Sequence, residues 1–329
     1  MRAVATACMP LLAVLFAASV WAAGMQTHTV PTANALPTRL AVDAQGAIWF
    51  VESNANRIGK FQPADGSFAE YGIPTSASFP SDIAVDPSGR LWFTEQNANQ
   101  IGVFDPATLS FEEFDIPTPE SLPTRIVSDA GGNIWFTEHY GDKLGMFEPG
   151  TGAFTEYPTP TPQSRPSGIA IDGAGRIWFA ETQGNNLGML DPRTGAVREF
   201  ALPAPFMVPR DIATDPSGTV WFGGGRGGEL VAFDPAGEKF RRFALPRGGV
   251  VEGLAADGRG NIVFSLVNAG KLGLFRTATE RFLEFRLSTG KSRPTAVAVD
   301  GGGTVWVADI GSNALIALPG KEILDLWVE

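Results

Sequence analysis

Glu138 and His139 stand side by side, and His139 is one of only two histidines in 329 residues. A carboxylate beside an imidazole is raw material for general acid–base catalysis, because histidine exchanges its proton near neutral pH. Neighbouring residues of a strand point to opposite sides, so the two need not converge on one substrate atom. His139 therefore reads as a base, a metal ligand or a hydrogen-bond donor, with Glu138 separable from it. Thiolate chemistry is excluded: the one cysteine, Cys8, lies in the N-terminal apolar run, and no His-x-x-x-His or clustered His/Cys spacing exists. The metal chemistry left open is oxygen-ligated Mg2+ or Ca2+ on carboxylates. The glycine-rich FGGGRGGEL opens no helical pattern and lacks a Gly-Lys-Ser/Thr ending, so it reads as a loop and not as a phosphate cradle.

These groups are positioned by a repeat. The segments DAQGAIWF, DPSGRLWF, DAGGNIWF, DGAGRIWF, DPSGTVWF, DGRGNIVF and DGGGTVWV begin at Asp43, Asp86, Asp129, Asp172, Asp215, Asp257 and Asp300. Each copy contains four strand-length apolar runs, in the second copy SDIAVD, RLWFTE, QIGVFDP and FEEFDIP. That pattern predicts an all-β, seven-bladed β-propeller of four-stranded antiparallel blades over residues 37–329. Trp49 and Phe50 are adjacent and so serve opposite faces of a blade packed on both sides. The first strand carries small residues such as Ala41, Ala84 and Ala170, as strands converging on an axis require. The Asp-x-x-Gly joints read as capped turns, not as catalytic acids. Residues 23–36 align as an outer strand and lead-in loop with no blade of their own, and are expected to close blade seven. The C-terminal EILDLWVE resembles a rival for that place.

Antiparallel order puts the Asp-x-x-Gly turns underneath and the ends of the second strands on top. The top is then expected to collect Glu52, Glu95, Glu138, Glu181 and Asp309, with Arg39, Asp82, Arg125, Arg165, Arg210, Asp211, Glu252 and Arg293 from the lead-in loops. Blades five and six carry Gly224 and Leu266 in place of the glutamate. One reading of this mixed-sign mouth is solvated charge paired between blades, worth little. The other is a ligand site on the side of Glu95, Glu138, His139, Glu181 and Arg165.

A formal charge of −10 with 18% charged residues disfavours nucleic acid and anionic membrane surfaces as partners. Residues 1–22 read as a signal peptide: Arg2, an apolar run through LLAVLFAASV, then small residues. A periplasmic or secreted monomer is expected.

The unit PSDIAVDPSGRLWFTEQNANQIGVFDP resembles the repeat of the virginiamycin B lyase (streptogramin lyase) family over all seven copies, and PTAVAVDGGGTVWVADIGSNALIAL is similar to NHL-type repeats. The lyase resemblance implies a propeller that opens a cyclic depsipeptide at its ester by elimination, using a histidine base and carboxylate-held Mg2+. That family places a histidine in the sixth lead-in, Glu-Pro-His in the seventh and a glutamate after the seventh Trp-Phe. Here those places hold Glu252, Arg293-Pro294-Thr295 and Asp309-Ile310. Linearisation of streptogramin B antibiotics is therefore not expected. Two functions follow: a lyase-like or hydrolytic enzyme acting on another small molecule at the top mouth, or a non-catalytic propeller binding a peptide, glycan or protein there.

Overall fold

The computed structural model describes residues 19–20, 24–224, 228–287 and 290–325. Their strands form seven sheets, and in blades one to five the chain runs from the innermost strand outwards. Blade two is representative: Pro80–Val85, Leu91–Glu95, Gln100–Asp105 and Ser110–Asp115, all antiparallel neighbours.

The Trp-Phe pairs hold the blades together. Trp92 packs with Ile101 and Val103 against Ile126, Phe136 and Phe147 of blade three, while Phe93 belongs to the cluster shared with blade one. Both rings are 1% exposed or less. Phe93 also demands a glycine across from it, since a Cβ on Gly102 would lie 2.2 Å from the ring. Blade seven solves the same space with the opposite volumes, Val307 facing Ile316.

The seven aspartates are turn caps, as their spacing predicts. Asp86 Oδ1 accepts from the amides of Ser88 and Arg90, and Oδ2 accepts from Trp92 Nε1 at 3.0 Å. The indole bond repeats at Trp49, Trp135, Trp178, Trp221 and Trp306, so each cap also fixes a core ring. In blade six Val263 replaces the tryptophan, and Asn261 Nδ2 donates to Asp257 instead.

Ring closure falls to the N-terminal side, where Gln26–Thr29 pairs antiparallel with Ala314–Leu318 as the outer strand of blade seven. That edge is then occupied, and the first four residues of the rival C-terminal segment belong instead to a short helix, Gly320–Asp325, the rest lying outside the described residues. His28 takes the place filled by Tyr71 or Phe114 in other blades, its ring 4.4 Å from Phe61 and 5.9 Å from Trp306. It is a core ring, and burial lowers its pKa. Ser19–Val20 pairs in parallel with the outer strand of blade six. The rest of the expected leader, Cys8 included, lies outside the described residues.

Candidate functional site

The second strands of blades one to four end in Glu52, Glu95, Glu138 and Glu181. All four are 0% exposed. They do not line an open mouth: Glu138, for example, faces Glu156 and Lys143 of its own blade and Ser121 of the loop above. Both carboxyl oxygens of Glu52, Glu95 and Glu138 lack a hydrogen-bond partner among the described residues. Glu181 Oε2 accepts from Asn186 Nδ2 at 2.8 Å. Burial pushes Glu52 and Glu181 up to about 8, and Glu95 and Glu138 up to about 7. Charging a carboxyl away from water is costly, so protonated forms are favoured.

The outer-strand carboxylates beside them have the opposite task. Glu70, Glu113, Glu156 and Glu199 each accept from both the amide and the hydroxyl of a threonine in the lead-in loop: Thr32, Thr75, Thr118 and Thr161. These clasps tie each loop to the blade it enters. Blade five has Ala204 at that loop position and Arg242 on its outer strand, where Arg242 pairs with Glu229 at 2.7 Å.

On the axis, the third residue of each innermost segment is Arg39, Asp82, Arg125, Gly168, Asp211, Gly253 or Ala296. Arg39 bonds Asp211 across the channel at 2.9 Å, and Arg125 approaches the same carboxylate at 3.7 Å. Asp82 and Asp211 also accept from the amides of Ile126 and Leu254. Burial raises both acids, Asp82 to about 7. The mixed-sign ring is thus largely paired. Above it, Leu36, Phe79, Leu122, Val208 and Val250 stand half-buried at the tops of the innermost segments, an apolar collar broken by Arg165 and Arg293.

His139 points away from Glu138. Its Nδ1 meets the carbonyl of Pro166 in blade four at 3.1 Å. A carbonyl only accepts, so Nδ1 carries the proton and neutral His139 has a free lone pair on Nε2. Ser53 makes the equivalent bond to Pro80 at 2.6 Å, so this link joins blades. Burial is the main cause of the lowered His139 pKa, and Arg165 adds to it. Arg165 lies with its guanidinium 4.3 Å from the centre of the Tyr140 ring, which is itself 5.4 Å from the His139 ring. Tyr140 is 58% exposed and Phe206, in the next lead-in loop, 77%. Phe206, Pro205 and Val208 line a cavity of about 580 Å³ with Thr182, Gln183 and Asn185.

Sequence reasoning picked out His139 and Arg165 but missed Phe206. The signal was its place: Asn34, Ala77, Glu120 and Gln163 occupy that turn position in other blades, all at positive φ like Phe206 itself. A second cleft, about 450 Å³, lies underneath beside Trp221. There Thr219 stands where blades two and four have an arginine over the ring, Arg90 over Trp92 and Arg176 over Trp178.

The places matching the lyase pattern hold different chemistry. Glu252 is 3.3 Å from Arg210 and Arg293 is exposed. Thr295 donates to the carbonyl of Thr38. Asp309 is fully enclosed, accepting from the amides of Arg293 and Gly311 and from Ser312 Oγ. Among the described residues no group of three or more His, Cys, Asp or Glu is arranged to hold a metal ion. With Asp309 committed and Glu252 beside a guanidinium, these residues do not fit the Mg2+ that the resemblance implies.

A sequence model of the virginiamycin B lyase family matches residues 19–130 and 107–323. No curated protein sequence matches. Among solved structures, virginiamycin B lyase from Staphylococcus aureus is 26% identical, covering 90% of this chain and 98% of that chain at a TM-score of 0.84. The same figures hold for its catalytically inactive histidine-to-alanine form with quinupristin. A streptogramin B lyase structure is 25% identical, covering 89% of this chain and 96% of that chain, also at 0.84.

Proposed function

The chain belongs to the virginiamycin B lyase family, and from that premise we propose that it is a ligand-binding propeller whose top mouth takes a small amphipathic molecule or short peptide without eliminating across it. One observation carries this reading. The strand-end carboxylates are enclosed, and the exposed-side acids Asp211 and Glu252 are neutralised by Arg39 and Arg210. A metal site needs carboxylates that are free to act, whereas an apolar collar over a paired polar floor suits binding. The leader pattern supports work in the periplasm or outside the cell, and seven satisfied blade interfaces support a monomer.

The test is a thermal-shift panel of amphipathic small molecules and short peptides, repeated on Phe79→Asp. The reading expects a ligand that stabilises the native chain, is recovered unchanged, and loses its effect on the variant. A ligand consumed during incubation, or one bound equally by Phe79→Asp, contradicts it.

A second reading is favoured by His139. With Nδ1 held by Pro166, its Nε2 can accept a proton at neutral pH, so an enzyme acting on another substrate would use it as the base. Turnover abolished by His139→Ala, with binding retained, distinguishes that case.

A further inference from the structure

The Arg165 guanidinium has no acid on it, although the residue's backbone amide donates to Asp142 Oδ1 at 3.1 Å. Among the described residues its guanidinium makes no ion pair and no hydrogen bond, and its Nε is buried without an acceptor. What holds it is the face of Tyr140, 4.3 Å away. Stacking of this kind orients the planar fork and leaves its edge for an anion. The equivalent positions in blades one, two, three, five and six are apolar, so no repeated structural need explains a cation here.

The cavity of about 580 Å³, within the range of roughly 300–1,000 Å³ usual for small-molecule sites, lies at the next blade boundary, between the top loop of blade four and the lead-in loop of blade five. Arg165 and the cavity are joined by backbone: Thr182, which lines the cavity, donates through its amide and hydroxyl to the carbonyl of Arg165. Gln183, also in the wall, bonds the carbonyl of Ser164. Phe206 stands over the cavity with 77% of its surface in water, an aromatic kept in the open at a turn position that other blades give to small or polar residues.

We propose that Arg165 on Tyr140, together with the Phe206 shelf, forms a subsite for a small carboxylic acid bearing an aromatic or branched apolar group. The guanidinium takes the carboxylate through paired N–H donors, and the Phe206 cavity takes the apolar group. This deepens the mouth-binding reading and rests on it for the ligand's approach from the top. It places recognition in blades three to five, away from the positions in blades six and seven that match the lyase pattern.

N-acetyl-L-phenylalanine and its amide are the probes, titrated by calorimetry or ligand-observed NMR against the native chain and against Arg165→Gln, Arg165→Lys, Phe206→Ser and Phe79→Asp. The acid is expected to bind at least tenfold more tightly than the amide. Arg165→Gln should erase that difference, Arg165→Lys should restore part of it, and Phe206→Ser should weaken both probes several-fold. Phe206 is exposed, so its variant folds. Equal binding of acid and amide, an unaffected Arg165→Gln, or no binding of the acid at tens of millimolar overturns the subsite. Loss of binding in Phe79→Asp alone leaves the mouth reading standing without the subsite, and loss in the Arg165 and Phe206 variants alone does the reverse.

Discussion

Blades one to four keep an enclosed glutamate and a threonine–glutamate clasp, whereas blades five to seven put Gly224, Leu266 and Asp309 where the glutamate stood. Blade five reverses the charges of its third and fourth strands, with Glu229 on Arg242 at 2.7 Å, while blade six keeps the order of blade three, Lys271 on Glu284 at 2.6 Å like Lys143 on Glu156. A side chain that recurs with the same partners in four blades serves the blade. Function is better sought where one blade departs from its neighbours, as at His139, Tyr140, Arg165 and Phe206. The family positions in blades six and seven also depart, Glu252 towards a paired group, Asp309 towards an enclosed one and Arg293 towards an exposed cation.

The comparison is broken most easily in the core. Trp92→Ala should cost about 3–5 kcal/mol in urea unfolding. Val263→Ala, at the same position in blade six, removes fewer atoms and no indole bond, and should cost clearly less. Equal losses would mean that the two arcs bear load alike.

Next in size is the exchange of volumes between blades two and seven. Gly102→Ile should destabilise by about 3 kcal/mol or more, because the new side chain runs into Phe93. Adding Phe93→Val, which copies the Val307–Ile316 pair, should recover most of it in a double-mutant cycle. Additive losses would show that the swap is not local.

The clasp comes third. Thr75→Ala removes the hydroxyl bond to Glu113, leaves the amide bond in place, and should lower stability by about 1 kcal/mol. Ala204→Thr should bring no gain, because Arg242 replaces the accepting glutamate in blade five.

The fourth effect is one of pH. Glu52, Glu95, Glu138 and Glu181 have folded pKa values raised to about 7 or 8 from an ordinary 4.5. Their contribution is full below the unfolded pKa, falls as pH rises, and is gone above the folded values. Asp86, Asp129, Asp172, Glu70 and Glu156 are shifted down, and their contribution is lost as pH falls through the folded values. Melting temperature should therefore decline between about pH 5 and pH 8. Glu138→Gln, neutral at every pH, should lessen that decline, while an identical slope in the variant would mean that Glu138 is ionised in the folded protein.

The architecture was legible because the period and turn aspartates are written seven times and the Trp-Phe pair five times, all carrying the same instruction. The turn function of Asp86 could be read from spacing, but its bond to Trp92 could not, since that joins two residues on the sequence's blank side of the turn. Closure by Gln26–Thr29 depended on which of two similar segments occupies the edge of Ala314–Leu318 in the finished ring, a tertiary outcome. The top was the hardest part. Strand order gives the end on which Glu138 lies, but its enclosure comes from Ser121 and the loop above, and the pairing of Arg39 with Asp211 spans 172 residues. His139 was visible as an exception, and its bond to Pro166 was not, because that partner belongs to the next blade.

The choice between binding and elimination is tested most directly by incubating the purified chain with quinupristin and Mg2+ and following the cyclic compound by chromatography with mass detection. The account predicts that the ring is returned closed, at the rate of a protein-free control. Linear product accumulating in proportion to the protein would contradict it, and would mean that a constellation other than the family's histidines performs the same reaction.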